Sequence, residues 1–529
     1  MDKRFLVLIF ILAAGLRLIG IGSGLPTDEL RQFPDHCDET ASLHFLSQMN
    51  WKEGRFNPVA AHEEGTLSVY LWMAGGHIAK GLGLIKRHSH QLVGPGKDYS
   101  NYVIYGRVVV TFFDLASLFL IFFILRRINF MVGASENSTA PYWGMLIWAI
   151  LPFEVIHSHY MRAHVLGNTL LLIIIYLSLF LKEEKSKIKT SMWIGLVVGL
   201  AAANRYTYIV SMTIPLAFLF VHKIFWDKRV LIIPLFALVG FFIGDMPLFL
   251  DFESAKGPIL YQLSFKLQNV PWYDFSRALV YITEILPIGT WALWIIFYPA
   301  LFFILYEKRY RLLALSWCAF MLVYFVPASK NYPLYAIRLL LPLFPFFTLA
   351  AALLLQNLFI RTRHYAAVTV VSFIFISTTL FTFATVTAMA DRKSSPFVQF
   401  YNYFKELKGE QKQLSFGLLA KGWDWYQINN FNAILDSVPI NFSEVKRSDS
   451  NYLDPTQKVN YIIVFKFDHT NSDVVDVRMN ELLISKQYRL EKVFKRKISI
   501  FNVEVDYQFF PTDFRYHFPE IYLLAAQTP

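Results

Sequence analysis

Hydrophobic positions in this chain come in long runs, not in alternating or one-sided stripes. Runs near residues 5–22, 102–125, 141–157, 164–181, 190–204, 206–222, 230–250, 279–305, 311–328, 336–359 and 366–389 are each predominantly apolar. Their lengths approach the ~20 residues with which an α-helix crosses a bilayer. The pattern predicts a mostly α, polytopic membrane protein of about eleven transmembrane helices. A long polar stretch, about 23–101, separates the first run from the second. Past residue 390 the pattern changes. "VNYIIVFKF" and "ISIFNVEV" set β-branched and aromatic residues among polar ones, as strands do. "SSPFVQFYNYFKEL" opens on Ser and Pro and reads as an amphipathic helix. A small soluble α/β domain is expected over 391–529, behind a membrane domain over 1–390.

Charge orients the runs. The connections on one side read "MDKR", "LRRINF", "LKEEKSKIK", "HKIFWDKR", "YEKRYR" and "RTRH", all basic. The short connections on the other side carry few cations. Positive loops face the cytoplasm. The N-terminus is therefore expected inside, and the 23–101 loop and the tail outside. An odd number of spans agrees with that. The first run, "RFLVLIFILAAGLRLIGIG", has a basic start but is long, carries Arg17 and lacks an obvious small-residue cleavage site, so it reads as a retained span.

Composition narrows the class. Of 529 residues, 55% are hydrophobic and only 17% charged, against about a quarter charged in soluble domains. The net charge is +11. Residues 391–529 hold 18 basic and 17 acidic side chains, so the excess lies in the membrane part. That is the signature of cytoplasmic loops, not of nucleic-acid binding. Cys37 and Cys318 are too few for a disulfide framework. The triplet at Asn137 lies on the expected cytoplasmic side and is discounted as a glycosylation acceptor; Asn441 lies outside.

The outer connections depart from ordinary membrane logic. "DHCDE" places Asp38 and Glu39 just past the first span. "HSHYMRAH" holds His157, His159, Arg162 and His164. Asn204 and Arg205 end a span, and Lys330 and Arg338 precede another. Ionisable groups at a membrane edge cost free energy and tend to line a cavity or a substrate path. Arginines there suit a lipid-linked phosphate, because the guanidinium forks onto phosphate oxygens. Each residue alone also fits a plainer role. Arg205 and Arg338 could snorkel, and Asp38 and Glu39 could open a solvated helix. Asp38, Glu64 and His164 are suitable ligands for a divalent cation, but no spacing repeats a known ligand set.

The order of these pieces resembles the GT-C class of membrane glycosyltransferases, nearest the protein O-mannosyltransferase and lipid A aminoarabinose transferase branch. The resembling segments are "CDETASLHFL", "RFNPVAAHEEGTLSVYL", "YGRVVVTFFDLASLFLIFFILRR", "HSHYMRAHVLGNTLLL", "LAAANRYTYIVSMTIPLAF" and "YAIRLLLPLFPFFTLAAALLL". They cover about residues 1–390. The chain departs from the family at two places. His164 stands where relatives usually carry an acid, and Glu63 and Glu64 replace prolines.

The resemblance implies a GT-C fold and transfer of a sugar from a polyprenyl-phosphate donor to an acceptor on the outer (periplasmic, extracellular or lumenal) face of a plasma (inner) membrane. It implies Asp38 as general base in an inverting reaction, with Glu39 orienting the loop or the acceptor. It implies Arg338, Arg205, Arg162 and Lys330 for the donor phosphate. A pocket for sugar and acceptor would use His62, Glu63, His159, His164 and Tyr206. The acceptor is open among protein, lipid and glycan. The rival readings are a transporter or flippase for a lipid-linked glycan, and a catalytically inactive relative. A transporter should show repeats and helices interrupted at mid-membrane; no repeat is visible here.

Overall fold

A computed structural model of the chain describes residues 3–25, 37–63, 65–92, 97–135, 138–182, 187–223, 227–267, 275–329, 337–361, 365–391, 393–410, 416–419, 459–466, 472–500, 503–505 and 520–527. Each apolar run coincides with a helix or a broken series of helices. The first is α1 (Lys3–Leu18). The loop after it carries α2 (Cys37–Ser47) and α3 (Leu67–Gly81). The long α4 (Lys97–Met131) is followed by α5 (Ala140–Ile150) and α6 (Pro152–His157), divided where Pro152 leaves Leu151 extended. Then come α7 (Ala163–Ser178), α8 (Lys187–Asn204), α9 (Thr213–Val221), α10 (Arg229–Gly244), α11 (Met246–Leu250) and α12 (Phe252–Leu267). A 3₁₀ turn, Tyr206–Met212, leads into α9. The run 275–306 is α13 (Phe275–Val280), α14 (Leu286–Thr290) and α15 (Trp294–Tyr306), with a π-helical turn after α13. The last helices of the body are α16 (Arg311–Phe320), α17 (Val326–Ser329), α18 (Phe344–Arg361) and α19 (Tyr365–Ala390).

The helices are uneven in length. Asp98–Met131, Phe275–Tyr306, Leu341–Ile360 and Tyr365–Ala390 are long and apolar enough to cross a membrane, by length and composition; five other apolar helices are shorter. Large side chains such as Phe112, Phe130, Leu231, Leu238, Phe302 and Phe373 stand exposed on the outside of the body. In water such a surface would be a liability; against lipid chains it is ordinary. The chain is an integral membrane protein.

Two packing features set the frame. Gly195 and Gly199 of α8 pack on the α10 backbone at 233–237 and 237–241, and Gly240 and Gly244 of α10 pack on Leu196 and Ala203 of α8. A β-carbon at Gly199 would lie 2.0 Å from the Ala237 carbonyl oxygen, and one at Gly240 2.1 Å from that of Leu196. Only glycine lets these backbones touch, the small-residue crossing common in membranes. That contact brings the end of α8 beside the end of α10. The second feature is a buried ion pair. Arg17 donates Nε to Asp114 at 2.6 Å and its other nitrogens to the carbonyls of Ala13, Ala149 and Trp148. The Trp148 indole donates to the other Asp114 oxygen at 2.7 Å. Both charged side chains are fully buried.

Over one end of the body, α2 and α3 pack on the start of α4. Leu43, Leu46, Val69, Trp72, Tyr102 and Met161 form a separate apolar cluster there. At the far end of the sequence, α20 (Pro396–Glu410) and α21 (Ser472–Ile484) accompany a four-stranded sheet. Its strands are β1 (Phe416–Leu419), β2 (Tyr461–Lys466), β3 (Tyr488–Phe494) and β6 (Glu520–Ala526), in the order β1-β2-β6-β3. β1 and β2 run parallel; β6 is antiparallel to β2 and β3, with Ile463 opposite Leu523. β4 (Ile498–Ile500) and β5 (Val503–Val505) form a short hairpin. Phe397, Phe400 and Phe404 of α20 cover one face of the sheet beside Ile463, Phe494 and Leu523.

Candidate active site

Asp38 and Glu39 stand in the first turn of α2. Neighbouring residues on a helix point about 100° apart, and these two part accordingly. Glu39 turns inward and is fully buried. Arg107 of α4 grips it with two bonds of 2.8 and 2.7 Å, and the Met161 amide donates to it at 2.8 Å. The same guanidinium donates to the carbonyls of Ile21 and Ser23 at 2.7 Å. Glu39 thus ties α2, α4, the end of the α1 loop and the 158–162 turn together. Ser42 reinforces the joint with bonds to the carbonyls of Asp38 and Met161.

Asp38 turns the other way and is 23% exposed. Arg338 donates Nη1 to its Oδ2 at 2.6 Å. Arg162 holds the same oxygen at 3.0 Å. Arg162 is the N-cap of α7 in extended backbone; Arg338 lies in the 3₁₀ turn Ile337–Leu339. Arg205, extended at the end of α8, is buried with its guanidinium against Nε2 of His164. Arginine can only donate, so His164 accepts at Nε2 and carries its proton on Nδ1. His157 lies 6.1 Å from His164, ring to ring. Arg338, Arg162 and Asp38 all act on His157 electrostatically, and Arg205, Arg162 and Arg338 on His164. Two guanidinium groups thus hold one carboxylate, and a third lies beside them against His164. Guanidinium groups at the ends of apolar helices are expensive and tend to line a cavity or a substrate path.

A second polar cluster adjoins the first through the chain step from Arg205 to Tyr206. His62 is fully buried; its Nε2 is 2.8 Å from Asn57 and its Nδ1 is 3.4 Å from Asp245. Tyr206 donates to Asp245 at 3.0 Å, and the Thr66 hydroxyl donates to the other Asp245 oxygen at 2.8 Å. Gly65, at φ +143°, carries this loop so close to α8 that a β-carbon would lie 2.5 Å from the Ala203 carbonyl. Asn57 also donates to Asp251 at 3.0 Å; that bond, with help from Ser254, holds Asp251 below the usual carboxylate range. Next to this cluster opens a cavity of about 650 Å³ lined by Gln48, Arg55, Phe56, Asn57, Met246 and Asp251 among others.

Of the residues expected from sequence, Asp38, Arg162, Arg338, Arg205 and His164 meet in one place, and His62 meets Tyr206. Glu39 is near but inaccessible. His159 is fully buried between the carbonyls of Val155 and Ile19, each 2.7 Å from a ring nitrogen; it is a brace, not a wall of the pocket. Lys330, Glu64 and the side chain of Glu63 lie outside the described residues. So do Asn137 and Asn441. The structure places His157 beside His164 and adds Arg107, Asn57 and Asp245. Arg107 was visible as the arginine that opens the second span. Asp245 had only a faint signal, an acid inside the run 230–250. Of the cation ligands expected from sequence, Asp38 and His164 each face an arginine, Glu64 lies outside the described residues, and among the described residues no three His, Cys, Asp or Glu converge.

No protein-family model matches the sequence, and no curated protein matches it. Among solved structures, the chain is similar to ArnT from Cupriavidus metallidurans bound to undecaprenyl phosphate, with 10% identity and a TM-score of 0.49, over 99% of this chain and 98% of that one. It is also similar to the oligosaccharyltransferase of Archaeoglobus fulgidus in the apo form, with 12% identity and a TM-score of 0.46, over 82% of this chain. It spans 63% of that protein's length. The same archaeal enzyme, AglB, in complex with an inhibitory peptide and a dolichol-phosphate is similar at 11% identity and a TM-score of 0.46, over 97% of this chain and 77% of that one.

Proposed function

We propose that this protein is a GT-C-class glycosyltransferase. It moves a sugar from a polyprenyl-phosphate donor to an acceptor hydroxyl on the outer face of the membrane. The observation that carries the reading is the convergence of Arg162 and Arg338 on Asp38, with Arg205 beside them against His164, at helix ends of a lipid-facing body. A donor with an isoprenoid tail stays in the bilayer, and its phosphate reaches the bilayer edge. The arginines meet it there. Asp38 holds two of them. An arriving phosphate takes over those guanidinium groups and releases the carboxylate beside the sugar.

Asp38 then acts as general base. The acceptor oxygen attacks the anomeric carbon, its proton passes to Asp38, and the bond from that carbon to the phosphate oxygen breaks. The leaving phosphate keeps the electron pair and stays against the arginines, fixed charge aimed where charge develops. With one base opposite the leaving group the product is inverted. Glu39 is a positioning residue: it holds α2, and so Asp38, through Arg107. The cavity beside Asn57 and His62 admits the acceptor from water.

The membrane part is proposed to have about eleven spans over 1–390, with the N-terminus in the cytoplasm, and the 391–529 domain is proposed to lie outside with the site. The test is a deletion strain of the source cell, screened by mass spectrometry for a glycoconjugate that loses a sugar. Wild type should restore it and Asp38→Asn, present at equal level, should not. Full restoration by Asp38→Asn sinks the base assignment; no altered glycoconjugate at all sinks the transferase reading.

A further inference from the structure

The helical body is also hollow at its other end. α7 begins beside Arg162 and runs 16 residues to Ser178, about 24 Å at 1.5 Å per residue. There a cavity of about 290 Å³ lies between the ends of α4, α7 and α9 and the start of α16. Its wall is apolar, with Ile128, Ile175, Ile214, Phe218, Leu313 and Phe346. Its remaining lining includes Lys182, His222, Lys308, Arg309 and Arg311, and among the described lining residues none is acidic.

The charges there are poorly matched. Arg309 has Glu307 at 3.6 Å and donates to Asn357. Lys182, Lys308 and Arg311 have no carboxylate partner among the described residues. Lys182, Arg311 and Arg229 all act on His222; Arg229 is itself matched by Asp227 at 2.8 Å. Basic side chains at this end are what cytoplasmic loops carry anyway. An apolar hollow beneath them is a separate observation, because helix interiors are close-packed and keep few open spaces.

We propose that this cavity binds an anionic phospholipid of the leaflet opposite Asp38. The phosphate headgroup sits among Lys182, Lys308 and Arg311, and the adjoining chain enters the apolar wall. Both halves of the lining are used, as in basic pockets between membrane helices that take anionic headgroups. Free phosphate would leave the wall bare, and a neutral lipid would leave the cations unmatched. The proposal stands apart from the transferase reading, since none of these residues belongs to that site.

Native mass spectrometry of the purified full chain tests it. The delipidated protein is titrated with dioleoylphosphatidylglycerol or dioleoylphosphatidylcholine. The wild type should retain one phosphatidylglycerol at least tenfold better than phosphatidylcholine, and millimolar inorganic phosphate should not displace it. Lys182→Glu with Arg311→Glu should abolish that preference. Lys228→Glu, a basic residue at the same end that does not line the cavity, should keep it. Ser316→Phe, which fills the wall and leaves the charges alone, should lower retention as well and serves if the charge reversal does not fold. Equal retention of both lipids, displacement by phosphate, or equal loss in Lys228→Glu overturns the proposal.

Discussion

Two aspartates in this protein bind arginine, and they differ in what is left over. Asp114 has one arginine, Arg17, and one indole, Trp148, and the guanidinium is filled by three carbonyls. Nothing in that pair reaches the surface. Asp38 has two arginines on a single oxygen, a third nearby, and a side chain partly open. The first arrangement is closed: its donors and acceptors match, and it fastens α1, α4 and α5. The second is partly open to solvent. In a low-dielectric body a closed pair fastens helices, while a partly open one can exchange its partners.

The same substitution at the two aspartates should therefore have opposite readouts. Asp38→Asn should lower transfer about 10²–10⁴-fold, the usual worth of a general base, while thermal unfolding in detergent stays near wild type. Asp114→Asn should do the reverse. Breaking a buried pair costs about 3–5 kcal/mol, so its unfolding temperature drops sharply, while the fraction still folded keeps its turnover. The double change Arg17→Met with Asp114→Leu should recover most of that stability, since a packed apolar pair replaces a buried ionic one. If Asp38→Asn instead unfolds the protein, the contrast between the two pairs disappears.

A smaller effect separates the arginines. Lysine keeps the charge of Arg338 but not its fork. Arg338→Lys should weaken donor binding about tenfold, near 1.4 kcal/mol, in a titration with polyprenyl phosphate. Smallest of all, Asn57→Ala should raise the acceptor KM a few-fold and leave donor affinity unchanged. An equal loss of both would move Asn57 from the acceptor side to the donor side.

Much of this was legible in the sequence, for a physical reason. Hydropathy sums locally, so the runs that became α1, α4, α18 and α19 stood out without any knowledge of packing. Arginines at the ends of apolar runs were visible because the membrane makes them expensive. What depends on rotation was not visible. Asp38 and Glu39 are adjacent, and only the grip of Arg107 on α2 decides which is buried. His157 and His159 lie two residues apart, and the turn after α6 sends His159 to a backbone brace and His157 toward the arginines. Asp245 meets His62 across a long stretch of chain, held there by the α8–α10 glycine contact. Gly195, Gly199, Gly240 and Gly244 carried that signal at a spacing of four, and it becomes meaningful only once both helices are known to cross.

The central claim is that the Asp38 carboxylate occupies a phosphate site until the donor arrives. The direct test is the affinity of purified wild type and Asp38→Asn for polyprenyl phosphate, measured by titration at low salt. Removing the competing carboxylate should tighten phosphate binding severalfold in the same variant that has lost transfer. Binding that weakens in Asp38→Asn, or stays unchanged, would contradict the account.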